Sequence, residues 1–280
     1  MAVSFIADVH VGNFRKFGGV LRGSVNDRAS AVLATLETAV IESYSRDDEA
    51  LVICGDLFDY ARPEPALISA VADTLRQHRS VHILVGNHDM NSTMPGDNAV
   101  SVLNHLDNVT TYERPGIVDF ASCRLILMPF KSGAPADWLS ESLRLLDLHA
   151  APDVDTIMAT HFGISDDGTP YYLDETAGSI RADKLAAICN DFGIHCVMAG
   201  DWHRHAEWHI DGVHMVQVGS LAPSRFPPNY EHGDRGPMVC LEDNGTTTVL
   251  NIPGPRFLRE SWDGGALAVE RALVTKTMTP

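Results

Sequence analysis

The feature that most constrains the fold of this chain is a set of five short apolar runs, each followed, directly or after one glycine, by acidic, amide or imidazole side chains. The runs cover residues 3–7, 51–54, 81–85, 156–160 and 196–199. The first such polar residues after them are, in chain order, Asp8, Asp56, Asn87, His161 and Asp201. Apolar, partly β-branched runs of this length predict strands that are buried on both faces, as in a largely parallel sheet.

These polar residues should meet at one edge of the predicted sheet, because ligands of open α/β sheets bind at the carboxyl ends of the strands. The combined set is Asp8, His10, Asp56, Asn87, His161, Asp201 and His203. Mixed carboxylate and imidazole ligands suit a divalent ion that binds phosphate and activates water. The set is large enough for two ions, which together can clamp a phosphoryl group and lower the pKa of a water molecule.

Within this set, the residue types indicate separate roles. Asp56 is the best candidate to bridge two ions, because each carboxylate oxygen can hold one ion and Gly55 permits a sharp turn before it. Asp8 and His10 are two residues apart in an extended segment, so both side chains can converge on one ion. We expect His88 to act as a general acid that protonates a leaving oxygen, and not as a ligand.

Composition favours a soluble cytoplasmic enzyme with one large domain over residues 1–252 and a tail over 253–280 that holds at most one short helix. No apolar run is long enough to span a membrane, and the first residues lack the pattern of a signal peptide. The net charge of −16 argues against a broad, passive nucleic-acid surface, although bound ions would offset part of it.

The scattered cysteines are expected to be buried thiols in a reducing compartment. They are Cys54, Cys123, Cys189, Cys196 and Cys240.

Helical and strand patterns alternate along the chain, which predicts an α/β fold. Helices are expected from residue 26 or 27, from the prolines at 63–65 to about residue 78, over 98–106 and over 138–148. The first should bury one face, made of Val32, Leu33, Leu36, Val40 and Tyr44. Asp-Gly and Asn-Gly turns predict hairpins over 208–218 and 238–252. These hairpins suggest a second sheet packed on the first, giving a four-layer α-β-β-α sandwich of two mixed sheets.

Taken in order, the polar clusters resemble the motifs of the calcineurin-like metallophosphoesterase superfamily: D-x-H, G-D-x-x-D, G-N-H-D, a lone H and G-H-x-H. The match runs from Asp8 to His203. The resemblance implies the metallo-dependent phosphatase fold, a metal-dependent phosphoesterase activity, and His88 as the general acid. It implies one ion on Asp8, His10, Asp56 and His203. It implies a second ion on Asp56, Asn87, His161 and Asp201.

One block departs from the family pattern. Where the family has G-H-x-H, this chain reads G-D-W-H-R-H from Gly200 to His205. Either Asp201 replaces the first histidine and His203 is the second, or the pair has shifted to His203 and His205. We favour the first alternative, because Gly200 closes the apolar run at the expected register. An aspartate ligand would favour manganese or magnesium over softer ions.

A finer resemblance concerns the substrate. Residues 55–59 with 62–65, and residues 219–221, are similar to the SbcD-type DNA repair nuclease branch. That resemblance implies manganese-dependent cleavage of DNA, as an exonuclease or endonuclease, with an SbcC-like coiled-coil ATPase as partner; magnesium, iron and zinc are the alternative metals. The alternative function is a phosphodiesterase or phosphomonoesterase of small nucleotides. A metal-binding interaction scaffold is a third hypothesis.

Other residues near these motifs have two interpretations each. Asp59 and Asp89 either orient the ligands beside them or cap loops. Arg204 either binds phosphate as a bidentate donor or is an ordinary surface arginine. His205 is either a ligand, as above, or a cross-strand residue of the predicted hairpin. Trp202 is expected to pack beside the site, with base stacking as the alternative.

Overall fold

The computed structural model describes residues 2–15, 18–133, 135–146, 155–166, 178–223, 236–242, 244–260 and 269–273. Within these ranges the helices are α1 (Asp27–Ser45), α2 (Pro65–Leu75), α3 (Pro135–Leu145) and α4 (Ala182–Asp191), and a short 3-10 helix covers Ser101–His105. The strands are β1 (Val3–Ile6), β2 (Leu21–Arg22), β3 (Val25–Asn26), β4 (Ala50–Ile53), β5 (Val81–Leu84), β6 (Val109–Tyr112), β7 (Gly116–Asp119), β8 (Cys123–Met128), β9 (Asp155–His161), β10 (Gly163–Ser165), β11 (Ser179–Arg181), β12 (Cys196–Gly200), β13 (Ala206–Ile210), β14 (Val213–Gln217), β15 (Pro237–Leu241), β16 (Thr247–Asn251), β17 (Arg256–Glu260) and β18 (Val269–Leu273).

Two large sheets carry the fold. The first has the strand order β16-β15-β1-β4-β5-β6, in which β1, β4, β5 and β6 are parallel and the other two are antiparallel to their neighbours. The second has the order β13-β14-β12-β9-β8-β7, with four parallel central strands and one antiparallel strand at each edge. Both sheets are therefore mixed.

Three apolar layers hold the sheets and helices together. Between the sheets, Phe5 and Val52 of the first sheet belong to one buried cluster with Leu125, Ile157 and Met198 of the second. On the outer face of the first sheet, α1 and α2 cover another apolar cluster, and α3 and α4 do the same for the second sheet. Because successive strand residues point to opposite faces, a strand covered on both sides must be apolar throughout. The expected α-β-β-α sandwich is confirmed.

The strands that carry the polar clusters are divided between the two sheets, so the expectation of a single sheet edge is wrong. Strands β1, β4 and β5 lie in the first sheet, and β9 and β12 lie in the second. We also expected the C-terminal hairpins to form the second sheet, but the two hairpins are divided between the two sheets. The β13–β14 hairpin extends the second sheet beside β12, whereas β15–β16 extends the first beside β1. A strand covered on both faces has the same sequence pattern in either sheet, which is why the pattern did not separate them.

Helix α1 begins directly after Asn26, as predicted. The Asn26 side chain accepts a hydrogen bond from the Ala29 N–H at 2.8 Å and so caps the first turn. The buried face includes Val32, Leu36 and Val40, with Leu33 half-buried. Tyr44, which we expected on this face, is 48% exposed. Ser43 takes the inward position instead, because its hydroxyl donates a hydrogen bond to the buried Asp48 carboxylate at 3.0 Å.

The other helices differ from prediction mainly at their ends. Helix α2 ends at Leu75, before the expected residue 78, and the 98–106 segment contains only a 3-10 helix. Helix α3 begins three residues earlier than expected, and residues 147–148 lie outside the described residues. In the tail, where we expected a short helix, the described residues form the antiparallel pair β17–β18.

The composition gave expectations for the cysteines and for membrane-spanning segments. All five cysteines are free and buried, as predicted. None of the helices in the described part of the chain is long and apolar enough to cross a membrane.

Candidate metal centre

The ends of β1 and β4 in the first sheet come together with the ends of β9 and β12 in the second. The Asp201 N–H, after β12, donates hydrogen bonds to the Asp8 carboxylate oxygens at 3.1 and 3.2 Å. The His161 ring, at the end of β9, has Nδ1 2.7 Å from the Cys54 carbonyl oxygen after β4. These contacts link the two sheets, so the polar clusters share one site even though their strands do not share one sheet.

The backbone at this site is strained at four candidate ligands. Their φ angles lie in the left-handed region, at 51° for Asp8, 52° for His10, 52° for Asp56 and 80° for Asp201. A residue with a side chain in this region costs on the order of 1–3 kcal/mol, and such residues cluster at functional sites. The strain turns each chain sharply as its strand ends, which aims these side chains at one another.

Three glycines make room for the ligands. A Cβ on Gly55 would lie 2.1 Å from His161 Nδ1, and one on Gly86 would lie 2.1 Å from Asp56 Oδ1. A Cβ on Gly200 would lie 2.0 Å from the Cys54 carbonyl oxygen. The sequence analysis interpreted Gly55 as permitting a sharp turn and Gly200 as closing its apolar run, but it did not interpret Gly86. The signal for Gly86 was present, because it stands between an apolar run and a polar residue.

One group of possible ligands consists of Asp8, His10 and His203, whose ligand atoms lie within 4.8 Å of one another. The two Nε2 atoms of His10 and His203 are 3.1 Å apart. Two nitrogens bound at right angles to one ion, each at about 2.1 Å, would be about 3 Å apart. The spacing of this pair therefore fits a shared divalent ion.

A second group consists of Asp8, Asp56 and His161, again within 4.8 Å of one another. The Asn87 amide oxygen lies 2.8 Å from His161 Nε2, and Asp201 Oδ1 lies 3.9 Å from the same nitrogen. Because the Cys54 carbonyl can only accept a hydrogen bond, Nδ1 of His161 donates to it, and Nε2 is the nitrogen that remains for a metal. Asn87 and Asp201 therefore lie next to this second group.

The electrostatics of the site also fit a cation. Burial by itself would raise the pKa of Asp56, but the imidazoles of His161 and His10 outweigh burial and hold that pKa below its usual value. Burial would lower the pKa of His161, but neighbouring carboxylates, Asp56 first, raise it well above the ordinary value. Burial raises the pKa of Asp8. Buried carboxylates at this density need positive charge, which divalent ions would supply.

The His88 ring lies beside these groups. Its Nδ1 is 2.9 Å from the Asp59 carbonyl oxygen, and its backbone N–H donates to Asp56 Oδ1 at 2.9 Å. The ring meets His10 edge-on, with centroids 4.8 Å apart. A His88 nitrogen also lies within 4.8 Å of ligand atoms of His10 and Asp56, so distance alone does not separate a ligand from a proton donor.

A model of the calcineurin-like phosphoesterase family matches residues 1–205. The chain belongs to this family. It is accordingly a metal-dependent phosphoesterase, a hydrolase of phosphoric ester bonds. The family typically holds a dinuclear metal centre, and the Asp and His groups described above could bind metal. A search of curated proteins found no match.

Solved structures share the fold of this phosphoesterase at low identity. The protein TT1561 of Thermus thermophilus has a TM-score of 0.55 at 13% identity, covering 90% of this chain and 99% of its own. A dimetal phosphatase from Danio rerio has a TM-score of 0.52 at 14% identity, covering 85% and 92%. Purple acid phosphatase PPD1 from yellow lupin (Lupinus luteus) has a TM-score of 0.54 at 14% identity, covering 89% of this chain and 49% of its own.

Two further aspartates, Asp89 and Asp59, lie beside the candidate metal centre of the phosphoesterase. The buried Asp89 carboxylate accepts hydrogen bonds from the N–H groups of Phe58 and Gly86, both at 2.9 Å, and so ties together the loops after β4 and β5. Burial raises the pKa of Asp89 to about 7. Asp59 Oδ1 lies 3.5 Å from His10 Nδ1. Asp89 therefore holds the loops from which Asp56 and Asn87 extend, and the Asp59 carboxylate lies next to the His10 ring.

The structure separates the two histidines of the atypical block. His203 faces His10, as described, whereas His205 has Nδ1 3.1 Å from the Val218 carbonyl oxygen and Nε2 3.2 Å from Glu207 Oε1. His205 therefore lies immediately before β13, beside the β13–β14 hairpin, and outside the ligand groups found among the described residues. Arg204 is exposed. Trp202 packs closely against Gly163. A Cβ atom on Gly163 would lie only 2.2 Å from the Trp202 indole.

Proposed function

We propose that this phosphoesterase hydrolyses phosphodiester bonds in DNA at a centre of two divalent ions. The observation that carries the proposal is the convergence of ligand atoms within 4.8 Å in three groups, which are Asp8 with His10 and His203, Asp56 with His10 and His88, and Asp56 with Asp8 and His161. In this proposal the first ion is held by Asp8, His10, Asp56 and His203. The second is held by Asp56, Asn87, His161 and Asp201.

Manganese is the proposed metal. Aspartate and asparagine oxygens make up most of the second ligand set, and hard oxygen ligands suit manganese and magnesium better than softer ions. When bound, such an ion pair supplies Lewis acidity toward water and the phosphoryl group. The Asp56 carboxylate would lie between the two ions, which is consistent with its lowered pKa, since it has to remain ionised.

His88 would donate the proton that the leaving oxygen requires. Its Nδ1 proton is engaged by the Asp59 carbonyl, so Nε2 is the nitrogen through which a protonated ring can reach substrate. An alkoxide is a poor leaving group, and a positioned general acid contributes about 10²- to 10⁴-fold to such steps. As the proposed general acid, the His88 ring belongs to neither proposed ligand set.

The preference for DNA rests on resemblance to the SbcD-type branch, and part of that resemblance lies at the site. In the 219–221 segment, the Ser220 N–H donates to the His203 carbonyl at 3.1 Å and the Leu221 N–H donates to the Ala7 carbonyl at 2.9 Å. The segment thereby connects the turn after β12 to the end of β1. By the same resemblance, we propose an SbcC-like coiled-coil ATPase as partner, tested by co-purification with the full chain.

A small nucleotide is the second candidate substrate, favoured by charge. A net charge of −16 repels a long polyanion, whereas a mononucleotide presents few phosphates. The two substrates require different surroundings of the metal ions. DNA needs local positive charge from the protein or a partner, and a nucleotide needs only the ions and a pocket.

A manganese-dependent activity panel distinguishes these substrates. Chelator-stripped protein, reconstituted with manganese, would be tested on single- and double-stranded DNA, cyclic nucleotides and simple phosphomonoesters. The proposal predicts DNA cleavage that is lost on removing the metal and strongly reduced in His88→Ala. Turnover of phosphomonoesters without cleavage of DNA would contradict it. Turnover confined to cyclic nucleotides would support the second candidate.

A further inference from the structure

A buried glutamine, Gln217, reaches from β14 across β12 to the segment that follows β9. Its side chain is 1% exposed. The amide nitrogen donates hydrogen bonds to the carbonyl oxygens of Ala199 at 3.1 Å and Gly200 at 2.5 Å. The amide oxygen accepts a hydrogen bond from the Ile164 N–H at 3.0 Å. Every polar atom of the side chain is thus engaged by backbone.

The contact with Gly200 bears on the candidate metal centre. The Gly200 carbonyl and the Asp201 N–H belong to one planar peptide group. Gln217 holds the oxygen of this peptide, and the Asp8 carboxylate accepts its N–H at 3.1 and 3.2 Å. The peptide is therefore fixed from both sides. Its orientation sets the left-handed turn at Asp201, where φ is 80°.

The contact with Ile164 holds a second segment of the site. The residue before it, Gly163, packs against the indole of Trp202, which lies between Asp201 and His203 in the chain. The same segment follows His161 directly. A single side chain therefore holds the backbone next to two proposed ligands of the second ion, Asp201 and His161.

We propose that Gln217 is a positioning residue for the metal centre, which it serves by clamping the 200–201 peptide and the segment after His161 in one register. This inference rests on the proposed function, because it takes Asp201 and His161 as ligands of the second ion. Groups that orient metal ligands typically contribute about 10- to 100-fold to metal affinity. Gln217 acts through the backbone of the ligands and has no contact with the ions in this scheme.

The test is a manganese titration by calorimetry of the full, chelator-stripped chain, comparing wild type with Gln217→Met. Methionine has a similar volume and none of the three hydrogen bonds. We expect the affinity for the second ion, beside Asp201 and His161, to fall about 10- to 100-fold. The affinity for the first ion, beside His10 and His203, should change less. Gln217→Asn, which keeps the amide but is one methylene too short, should change the same affinity in the same direction. It gives a milder variant if Gln217→Met does not fold.

Asn108→Leu is the matched control. The Asn108 amide also donates to two backbone carbonyls, of Leu75 at 2.8 Å and His78 at 2.7 Å, but at the end of the first sheet where β5 and β6 begin. This variant should lower the melting temperature without changing either metal affinity. If the Gln217 variants lose melting temperature but keep both affinities, the positioning role is overturned. If wild type itself fails to bind two ions, the proposed metal centre is overturned instead.

Discussion

The His88 ring has one nitrogen held by the protein and one left for chemistry. Replacing it with alanine should lower kcat by about 10²- to 10⁴-fold, because the leaving oxygen would depart without a proton donor. Manganese affinity should stay unchanged, since the ring belongs to neither proposed ligand set. Steady-state kinetics and calorimetric titration of the same sample test the two halves of this prediction. A lost ion in His88→Ala would make the residue a ligand and refute its assignment as the acid.

Gly86 illustrates how a residue without a side chain can shape the centre. An alanine Cβ there would lie 2.1 Å from Asp56 Oδ1, so Gly86→Ala should displace the proposed bridging carboxylate. We expect loss of at least one ion, measured as bound metal per chain. Gly116→Ala is the control, because its Cβ would meet only the Tyr112 ring, at 3.1 Å. Full metal content in Gly86→Ala would show that the carboxylate can move without cost to the site.

At the scale of elements, the turn after β12 carries the departure from the family pattern. Asp201 Oδ1 lies 3.9 Å from His161 Nε2, whereas His205 is bonded to Glu207 and the Val218 carbonyl on the next strand pair. Asp201→Ala should therefore lose one ion, and His205→Ala should keep both. Metal content after gel filtration gives the readout. The opposite pattern would mean that the histidine pair has shifted and that our register is wrong.

The elements show which parts of the site the sequence could predict. Each apolar run ends within one residue of the end of its strand, so the polar residues after it were identified as candidates from order alone. Their division between two sheets was missed, because apolar layers cover both faces of every central strand. Gln217 had no sequence signal, since its role depends on strand β14 lying beside β12 at the register that pairs it with Ala199.

Over the whole molecule, the layer between the sheets contains a buried histidine whose titration should couple to stability. His82 is 7% exposed, with Nδ1 2.9 Å from the Tyr112 hydroxyl and Nε2 3.1 Å from the Ser80 hydroxyl. Burial lowers its pKa from 6.5 to about 4. The unfolded chain therefore binds a proton before the folded chain does as the pH falls.

The titration of His82 makes the stability of the fold depend on pH. Well above pH 6.5 neither the folded nor the unfolded state is protonated at His82, and this group leaves stability unaffected. Between pH 6.5 and about 4 only the unfolded state gains the proton, so the free energy of unfolding should fall, by up to about 3 kcal/mol from this group. In His82→Gln this part of the slope should disappear. Urea unfolding across this range, with exposed His105→Gln as control, would reject the account if wild type and His82→Gln gave parallel curves.

The central claim is that ligands from two sheets hold two ions on either side of Asp56. Crystals grown with manganese, measured for anomalous scattering, test it most directly. We predict two anomalous peaks about 3.5–4 Å apart, one beside His10 and His203 and the other beside His161 and Asp201. A single peak, or a peak between His205 and Glu207 with none beside Asp56, would contradict it.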